Sequence, residues 1–229
     1  MKLLITTRAD EGVAEKASMS HPLFKEYAKR VGADFMALDH ESGCKEGNGR
    51  WHYRIFKHKE LHEEYDRILL LDTDLLLLPG CPNIFEIVDY DKIGTVLEDK
   101  GSRRGDRLHR MMAIQQQYGD IGWRDKYINN GVFLSSKCHE GIYETFDGNY
   151  WLGPGQDDVH MGYNIHKLGY EYHDLGYKFN HMTMFSERWN NSADRFASHI
   201  IHYAGVGVFD KGPVNDLDQM RRDYAKIYG

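Results

Sequence analysis

The sequence has little cysteine, no excess of positive charge and no recognisable leader. Its three cysteines, Cys44, Cys81 and Cys138, are far apart and odd in number, which argues against a disulfide framework or a zinc site and favours a reducing compartment. The formal net charge of −6 does not fit a general nucleic-acid-binding protein, which is usually basic. The N-terminus has one short apolar run without a cleavage signal, so we expect a first strand there and not a signal peptide.

The longest apolar stretch, Arg67–Leu78, is also too short to span a bilayer. Eight of its residues are leucine or isoleucine, and Asp72 and Asp74 interrupt them. Because we find neither a signal peptide nor a transmembrane segment, we predict a cytoplasmic protein. The 229 residues, 41 % hydrophobic and 28 % charged, suit one ordinary globular domain.

Short apolar runs alternate with segments of helical periodicity, which predicts an α/β fold. Lys2–Thr7 and Ala33–Leu38 are predicted strands on either side of a helix at Pro22–Val31. Such a βαβ start predicts a mostly parallel sheet with crossover helices. We expect a final helix capped by Asn215 or Asp216.

Three polar segments in the middle of the chain have predicted structures that bear on function. We expect Trp51–Tyr65 to form a helix with Arg54 among its more exposed residues. Gly101–Asp106 is predicted to be a mobile basic loop, followed by a helix over Arg107–Tyr118. Gly153–Asp158 is predicted to be a turn that leads into another helix.

Asp72 and Asp74 are the first candidates for chemistry, since they follow a buried strand. Open α/β sheets bind ligands at the carboxyl ends of their strands. Two acids within a leucine-rich run are costly to bury without a cation or strong hydrogen bonds, and carboxylate oxygens suit Mg²⁺ or Mn²⁺. The pair therefore predicts a cation site; the alternative is a turn or helix cap after the strand.

Three later segments carry further candidates. Asn129–Gly131 interrupts an apolar run, which indicates either a bend or a ligand contact. Gln156–Asp158 opens a helix, where acids either act in catalysis or simply stabilise the helix N-terminus by about 0.3–1 kcal/mol. His202 closes an apolar strand before a glycine-containing loop. A lone histidine among 13 is usually structural, but neutral imidazole beside carboxylates suits Mn²⁺.

Taken in order, these segments resemble GT-A glycosyltransferases, particularly the glycogenin-like and bacterial lipopolysaccharide galactosyltransferase group. Tyr65–Leu78 resembles the metal-binding segment, and Arg54 resembles a basic position upstream of it. Tyr127–Phe133 resembles the Asn-x-Gly-Val strand that lines the donor sugar. Ile201–Gly205 resembles the late His-x-x-Gly motif, and Pro22–Asp34 is similar to an early helix and strand of related sugar transferases. The resemblance spans most of the chain, and its specificity lies in the ordered set.

The resemblance implies a GT-A (Rossmann-like) α/β fold, with a mixed, mostly parallel sheet flanked by helices and a C-terminal helix. It implies one domain over residues 1–229, with a nucleotide-binding half at 1–100 and a sugar and acceptor half at 101–229. The implied activity is hexosyl transfer from a nucleotide sugar, expected to be a UDP-sugar, to a glycan or other hydroxyl acceptor. The implied cofactor is Mn²⁺ or Mg²⁺, bound by Asp72, Asp74 and His202.

The resemblance also assigns the remaining site residues. The expected catalytic residues are Gln156, Asp157 and Asp158. The expected donor contacts are Thr6, Thr7, Asp10, Arg54, Asp72, Thr73, Asn129, Asn130, Gly131, Gly205 and Lys211, of which the first three are assigned by position alone. Arg103 and Arg104 either close over the diphosphate or are merely solvated, so they are not among the expected contacts.

The sequence departs from the family pattern at two places. The family continues from His-x-x-Gly into Lys-Pro-Trp, whose lysine contacts the diphosphate, whereas here Lys211 follows Gly205 at a shifted position. Retaining members carry an Asp-Gln-Asp turn, whereas Gly155–Asp158 lacks the first acid and also resembles the acidic turn of inverting members. We expect retention, with inversion as the alternative.

Two other functions are compatible with the sequence. Phosphohydrolases of the haloacid dehalogenase type also place Asp-x-Asp after an apolar strand, but near the N-terminus and before a small Gly-Thr pair. Here two predicted strands precede the motif and four leucines follow it. The second alternative is a degenerate transferase that only binds sugar nucleotide or glycan, in line with the two departures.

Overall fold

The computed structural model describes residues 1–39, 51–204 and 207–229. Its strands are β1 (Leu3–Arg8), β2 (Asp34–Leu38), β3 (Arg67–Leu71), β4 (Leu75–Leu77), β5 (Lys92–Leu97), β6 (Ile128–Ser136), β7 (Glu171–Asp174) and β8 (Ile200–His202). Its α-helices are α1 (Ala14–Val31), α2 (His58–Leu61), α3 (Ile84–Ile87), α4 (Arg104–Tyr118), α5 (Gln156–Leu168) and α6 (Asp216–Tyr228). None of the helices in these ranges is both long and apolar enough to cross a membrane.

Six strands form a mixed, mostly parallel sheet in the order β2-β1-β3-β6-β5-β7. Strand β1 is parallel to β2 and β3, and β5 is parallel to β7, whereas β6 is antiparallel to β3 and β5. The first residues of β6 therefore lie at the same edge as the last residues of β1, β3 and β5. The expected sheet, and the expected C-terminal helix, are confirmed.

The leucine-rich stretch forms two strands that belong to different sheets. Strand β3 ends at Leu71 in the large sheet, and β4 pairs with β8 in a separate two-stranded antiparallel sheet. All residues of both strands are buried. Asp72–Asp74 thus forms a turn between two buried strands. Leu75 lies opposite His202, and the Tyr203 N–H donates to the Asp74 carbonyl oxygen at 3.0 Å, which ties β8 to this turn.

Strand β3 is buried on both faces of the sheet, which explains why its residues 68–71 are all apolar. Successive side chains of a strand point to opposite faces. Leu69 belongs to a hydrophobic cluster with Phe24 of α1. Leu70 belongs to a different cluster, which includes Tyr53 and Met161 of α5. Helices packed on both faces of the sheet therefore fix the position of the end of β3, which the polar residues Asp72–Asp74 follow.

The final helix begins as the sequence predicts, with Asn215 as its cap. The Asn215 Oδ1 accepts a hydrogen bond from the Asp218 N–H at 2.8 Å, which satisfies a backbone donor that the first helical turn leaves without a partner.

The predicted exposure of Arg54 is wrong. Trp51–Lys57 forms a 3₁₀ segment, and only His58–Leu61 is α-helical, so the side chains rotate differently from those of the predicted helix. Arg54 is 1 % exposed, and its guanidinium donates to the carbonyl oxygens of Ala9 and Leu38, the latter at 3.2 Å. It pairs with backbone groups that the helical periodicity could not indicate.

The predicted basic loop at Gly101–Asp106 is also wrong. Gly101–Arg103 forms a 3₁₀ turn, and α4 begins at Arg104, three residues before the predicted start. Asp106 lies in the first turn of α4, where a negative charge favours the helix N-terminus. The arginines of this segment therefore occupy fixed positions relative to α4.

Candidate active site

Three side chains able to bind a cation lie together at the carboxyl edge of the large sheet. Asp72 and Asp74 come from the turn between β3 and β4, and His202 is the last residue of β8. One ligand atom from each lies within 4.8 Å of the other two, and His202 Nε2 is 3.2 Å from Asp74 Oδ1. Carboxylate oxygens with one imidazole fit Mn²⁺ or Mg²⁺.

A chain of amides orients the imidazole of His202. Its Nδ1 lies 2.6 Å from Asn180 Oδ1, which can only accept, so Nδ1 carries the proton and Nε2 faces the carboxylates. The Asn180 Nδ2 donates in turn to Asn129 Oδ1 at 2.7 Å. Burial lowers the pKa of His202, but Asp74 and Asp72 outweigh burial and raise it overall. No sequence pattern indicated Asn180.

The two carboxylates have different electrostatic surroundings. Burial raises the pKa of Asp74, but His202 and Lys16, whose Nζ is 3.6 Å from Asp74 Oδ2, outweigh burial and lower it overall. Burial raises the pKa of Asp72, the charge of Asp74 adds to this rise, and Arg8 offsets only part of it. An added cation would relieve the repulsion between the two acids.

Arg8 lies at the centre of the site, although the sequence patterns did not select it. Its guanidinium is 3 % exposed, with Nη2 2.5 Å from Asp72 Oδ1 and Nη1 2.5 Å from Asp157 Oδ2. It therefore connects the β3–β4 turn to the first turn of α5. Burial lowers the pKa of Arg8, but the carboxylates raise it further, so its charge is fixed. The available signal was an arginine closing the first apolar strand.

A cavity of about 420 Å³, which we call the central cleft, opens over these residues. Its walls include Arg8, His52, Asp72, Asp74, Arg110, Asn129, Gly131, His202, Ala204 and the segment 153–158. The structure thus brings the predicted metal ligands, Asn129, Gly131 and the predicted catalytic segment Gln156–Asp158 into one cavity.

Asn129, Asn130 and Gly131 do not form a tight turn, and an irregularity in the pairing of their strand falls at these residues. They lie within β6, whose pairing with β5 shifts register between Gly94 and Val96. The Asn129 Oδ1 accepts from the Gly131 N–H at 2.9 Å. Asn130 is buried, and its N–H donates to Asp158 Oδ1 at 2.8 Å. Asn130 therefore holds the acidic segment through this hydrogen bond and does not itself line the cleft.

The acidic segment enters the cleft through two residues of left-handed backbone. Gly155 has φ +80° and Gln156 has φ +41°, a conformation that a non-glycine residue adopts only at a cost. Asp157 is 5 % exposed and is held by Arg8. Burial raises the pKa of Asp158 well above its usual range, with Asp157 and Glu98 adding to the rise. These acids are therefore more than a solvated helix N-terminus.

Comparison with known proteins gives likeness in structure and none in sequence. No protein-family model matches the chain, and no curated protein matches it. The bifunctional glycosyltransferase WbbM, in its apo form, matches with a TM-score of 0.65 and 11 % identity over 99 % of this chain and 50 % of that chain. A glycosyltransferase involved in glycosylation of the major capsid of PBCV-1 matches with a TM-score of 0.58 and 12 % identity, over 97 % and 98 %. The chain has the GT-A glycosyltransferase fold.

A third GT-A structure supports the same conclusion. The galactosyltransferase LgtC, in complex with donor and acceptor sugar analogues, matches with a TM-score of 0.53 and 15 % identity over 99 % of this chain and 96 % of that chain. The expected resemblance to this group of GT-A enzymes is confirmed at the level of fold.

Several predicted donor contacts lie away from the central cleft of this GT-A fold. Thr6 and Thr7 are buried, with Thr6 Oγ1 2.8 Å from His58 Nε2 and Thr7 Oγ1 3.2 Å from Thr73 Oγ1. Thr73 is buried beneath the turn and donates to the Arg8 carbonyl oxygen.

The other assigned positions differ in exposure. Arg54 is buried behind the cleft, Asp10 is half-buried before a 3₁₀ turn, and Lys211 is exposed before α6. Gly205 lies outside the described residues. None of Arg54, Asp10 and Lys211 lines the cleft in the part of the chain that the structure describes.

Gly131 allows His202 to approach the carboxylates, so Gly131→Ala should weaken metal binding. A Cβ at this position would lie 2.4 Å from His202 Cε1 and 2.8 Å from His202 Nδ1, so the imidazole must move. We expect Mn²⁺ affinity, measured by titration calorimetry, to fall about 10–100-fold, and stability to fall by about 1–3 kcal/mol.

Gly105→Ala is the matched control for this substitution. Gly105 lies in α4 with open space around its Cβ position, so alanine there should leave Mn²⁺ binding unchanged and stabilise the helix by about 0.5–1 kcal/mol. Wild-type Mn²⁺ affinity in Gly131→Ala would contradict the close packing of Gly131 against His202.

Proposed function

We propose that the protein is a metal-dependent glycosyltransferase that moves a hexose from a UDP-sugar to a hydroxyl group of a glycan. The observation that carries this proposal is the cluster of Asp72, Asp74 and His202, whose ligand atoms lie within 4.8 Å of one another in the cleft of a GT-A fold. The fold disfavours the phosphohydrolase alternative, because the matching structures named above are sugar transferases.

The metal ligands would bind the diphosphate of the donor through the cation. Asp72, Asp74 and His202 would hold Mn²⁺ or Mg²⁺, and a bound ion of this kind supplies Lewis-acid stabilisation of the leaving group. Arg8 would hold Asp72 in position for this role, because its guanidinium donates to both Asp72 and Asp157.

The segment Gln156–Asp158 would lie beside the sugar and favours retention of configuration. An inverting enzyme needs a carboxylate free to accept the proton of the acceptor hydroxyl. Here Asp157 accepts from Arg8, and Asp158 accepts from the Asn130 N–H. With both acids engaged, the neutral amide of Gln156 is the group of this segment that remains to contact the sugar.

A panel of nucleotide sugars with Mn²⁺ and a panel of glycosides tests this function. We expect one UDP-sugar to be consumed, with UDP release that depends on Mn²⁺ or Mg²⁺. NMR of the product should show the anomeric configuration of the donor. Phosphate release from simple esters without any donor would favour a phosphohydrolase, and donor binding without turnover would favour a degenerate binding protein.

A further inference from the structure

A second cavity, of about 270 Å³, adjoins the central cleft. The two cavities share Arg110, Asn129, Asp158 and Ala204 in their walls. We call the second cavity the arginine pocket, because Arg103, Arg107 and Arg110 line it. A molecule bound there would lie directly beside a sugar bound in the central cleft.

The three arginines project from one side of α4 and the turn before it. Their spacing, at positions i, i+4 and i+7, places them along one helix face. Arg107 is buried, and its Nε lies 2.5 Å from Glu98 Oε1. The Arg110 Nε lies 2.9 Å from Asp106 Oδ2, which also pairs with Arg107. Glu98 and Asp106 therefore anchor two of the arginines and match their charges.

Arg103 leaves one positive charge of the pocket unmatched. It is half-buried in the wall, and among residues 1–39, 51–204 and 207–229 its guanidinium has no carboxylate partner. Asp158, at the junction with the central cleft, has a pKa raised well above its usual range by burial and by Asp157 and Glu98. Its Oδ1 accepts a hydrogen bond from the Asn130 N–H at 2.8 Å, so Asp158 has a partner of its own and does not pair with Arg103.

Part of the lining of the arginine pocket suits the apolar face of a pyranose. This part consists of Met182, Thr183 and Met184, and both methionines are buried. Methionine adapts its shape to a bound group. A pocket lined by both methionines and arginines matches a sugar that carries an acidic substituent.

We propose that the arginine pocket binds the acceptor through a carboxylate, so that the acceptor is a glycan with a uronic acid residue. This inference rests on the proposed function, because it treats the molecule beside the donor as the acceptor. The planar guanidinium of Arg103 can donate to both oxygens of one carboxylate. A single unmatched positive charge also fits a carboxylate better than a phosphate monoester, which carries about −1.5 to −2 at neutral pH.

The test is a comparison of two glycosides that differ only at C6. Binding of p-nitrophenyl β-D-glucuronide and p-nitrophenyl β-D-glucoside to the full chain with UDP and Mn²⁺ is measured by titration calorimetry. We expect the glucuronide to bind about tenfold more tightly. Arg103→Gln, which keeps a hydrogen-bond donor but loses the charge, should abolish this preference. Arg104→Gln is the matched control, because Arg104 is exposed and lies outside the pocket wall, and it should keep the preference.

Three results would overturn the inference: no tighter binding of the glucuronide, an unchanged preference in Arg103→Gln, or tighter binding of glucose 6-phosphate than of the glucuronide. The measurement requires no turnover, so it fails independently of the proposed function. An Arg103-dependent preference without consumption of any UDP-sugar would refute transfer but keep the carboxylate site. Consumption of a UDP-sugar without the preference would support transfer but refute the carboxylate site.

Discussion

Asp74→Asn should abolish metal-dependent turnover of the donor. The substitution keeps the shape of the side chain but removes an anionic ligand, and with it the negative charge that faces His202 Nε2 at 3.2 Å. Metal ions supply several kcal/mol of transition-state stabilisation, so we expect the rate of UDP release to fall roughly a thousandfold or more. Calorimetric titration with Mn²⁺ should show a matching loss of affinity.

Asp216→Asn provides the control for this prediction. Asp216 Oδ2 lies 2.6 Å from Lys16 Nζ, the same ammonium group that faces Asp74, but Asp216 belongs to α6 and not to the metal cluster. Its substitution therefore perturbs Lys16 and leaves the ligands in place, and Mn²⁺ affinity should not change. Full turnover together with unchanged Mn²⁺ affinity in Asp74→Asn would show that Asp74 is not a ligand of a catalytic cation.

Arg8→Met should destabilise the protein strongly. The substitution fills a similar volume but leaves Asp72 and Asp157 without their shared cation in a buried position. Removing one partner from a buried ion pair typically costs about 3–5 kcal/mol, because the remaining charge is neither solvated nor matched. Chemical denaturation monitored by circular dichroism should show a loss of this size in the free energy of unfolding.

Three further measurements distinguish this charge effect from general damage. The double variant Arg8→Met/Asp157→Asn should recover part of the lost stability, because one of the two uncompensated charges is gone. Mn²⁺ should raise the melting temperature of Arg8→Met more than that of the wild type, since the ion replaces positive charge beside Asp72. Arg104→Met, at an exposed arginine, should change stability little. Wild-type stability of Arg8→Met would show that Arg8 does not compensate the two acids.

The sequence predicts those parts of the fold and site that depend on local pattern. The apolar run before Asp72 and Asp74 indicated a buried strand, and an apolar strand likewise preceded His202, so these positions were recognisable; that the following leucines form a strand of a second sheet was not. Arg8 was not, because its partners Asp72 and Asp157 are 64 and 149 residues away in sequence.

Arg54 shows the opposite error. Its neighbours have helical spacing, which predicted an exposed side chain. Its burial depends on the carbonyl oxygens of Ala9 and Leu38, which the chain brings near it only after β1 and β2 have paired. The burial of Arg54 therefore depends on residues distant in sequence, whereas the local periodicity predicted that it is solvated.

The small sheet of β4 and β8 has a consequence for how a cation would be bound. Leu75 lies opposite His202, and the Tyr203 N–H donates a hydrogen bond to the Asp74 carbonyl oxygen. The spacing between the Asp74 and His202 side chains is therefore set by backbone pairing. Little conformational entropy is then lost when an ion arrives, since two of its three protein ligands are already in place. The remaining ligand, Asp72, follows β3 of the other sheet, so the position of one sheet relative to the other determines whether the third ligand is in reach.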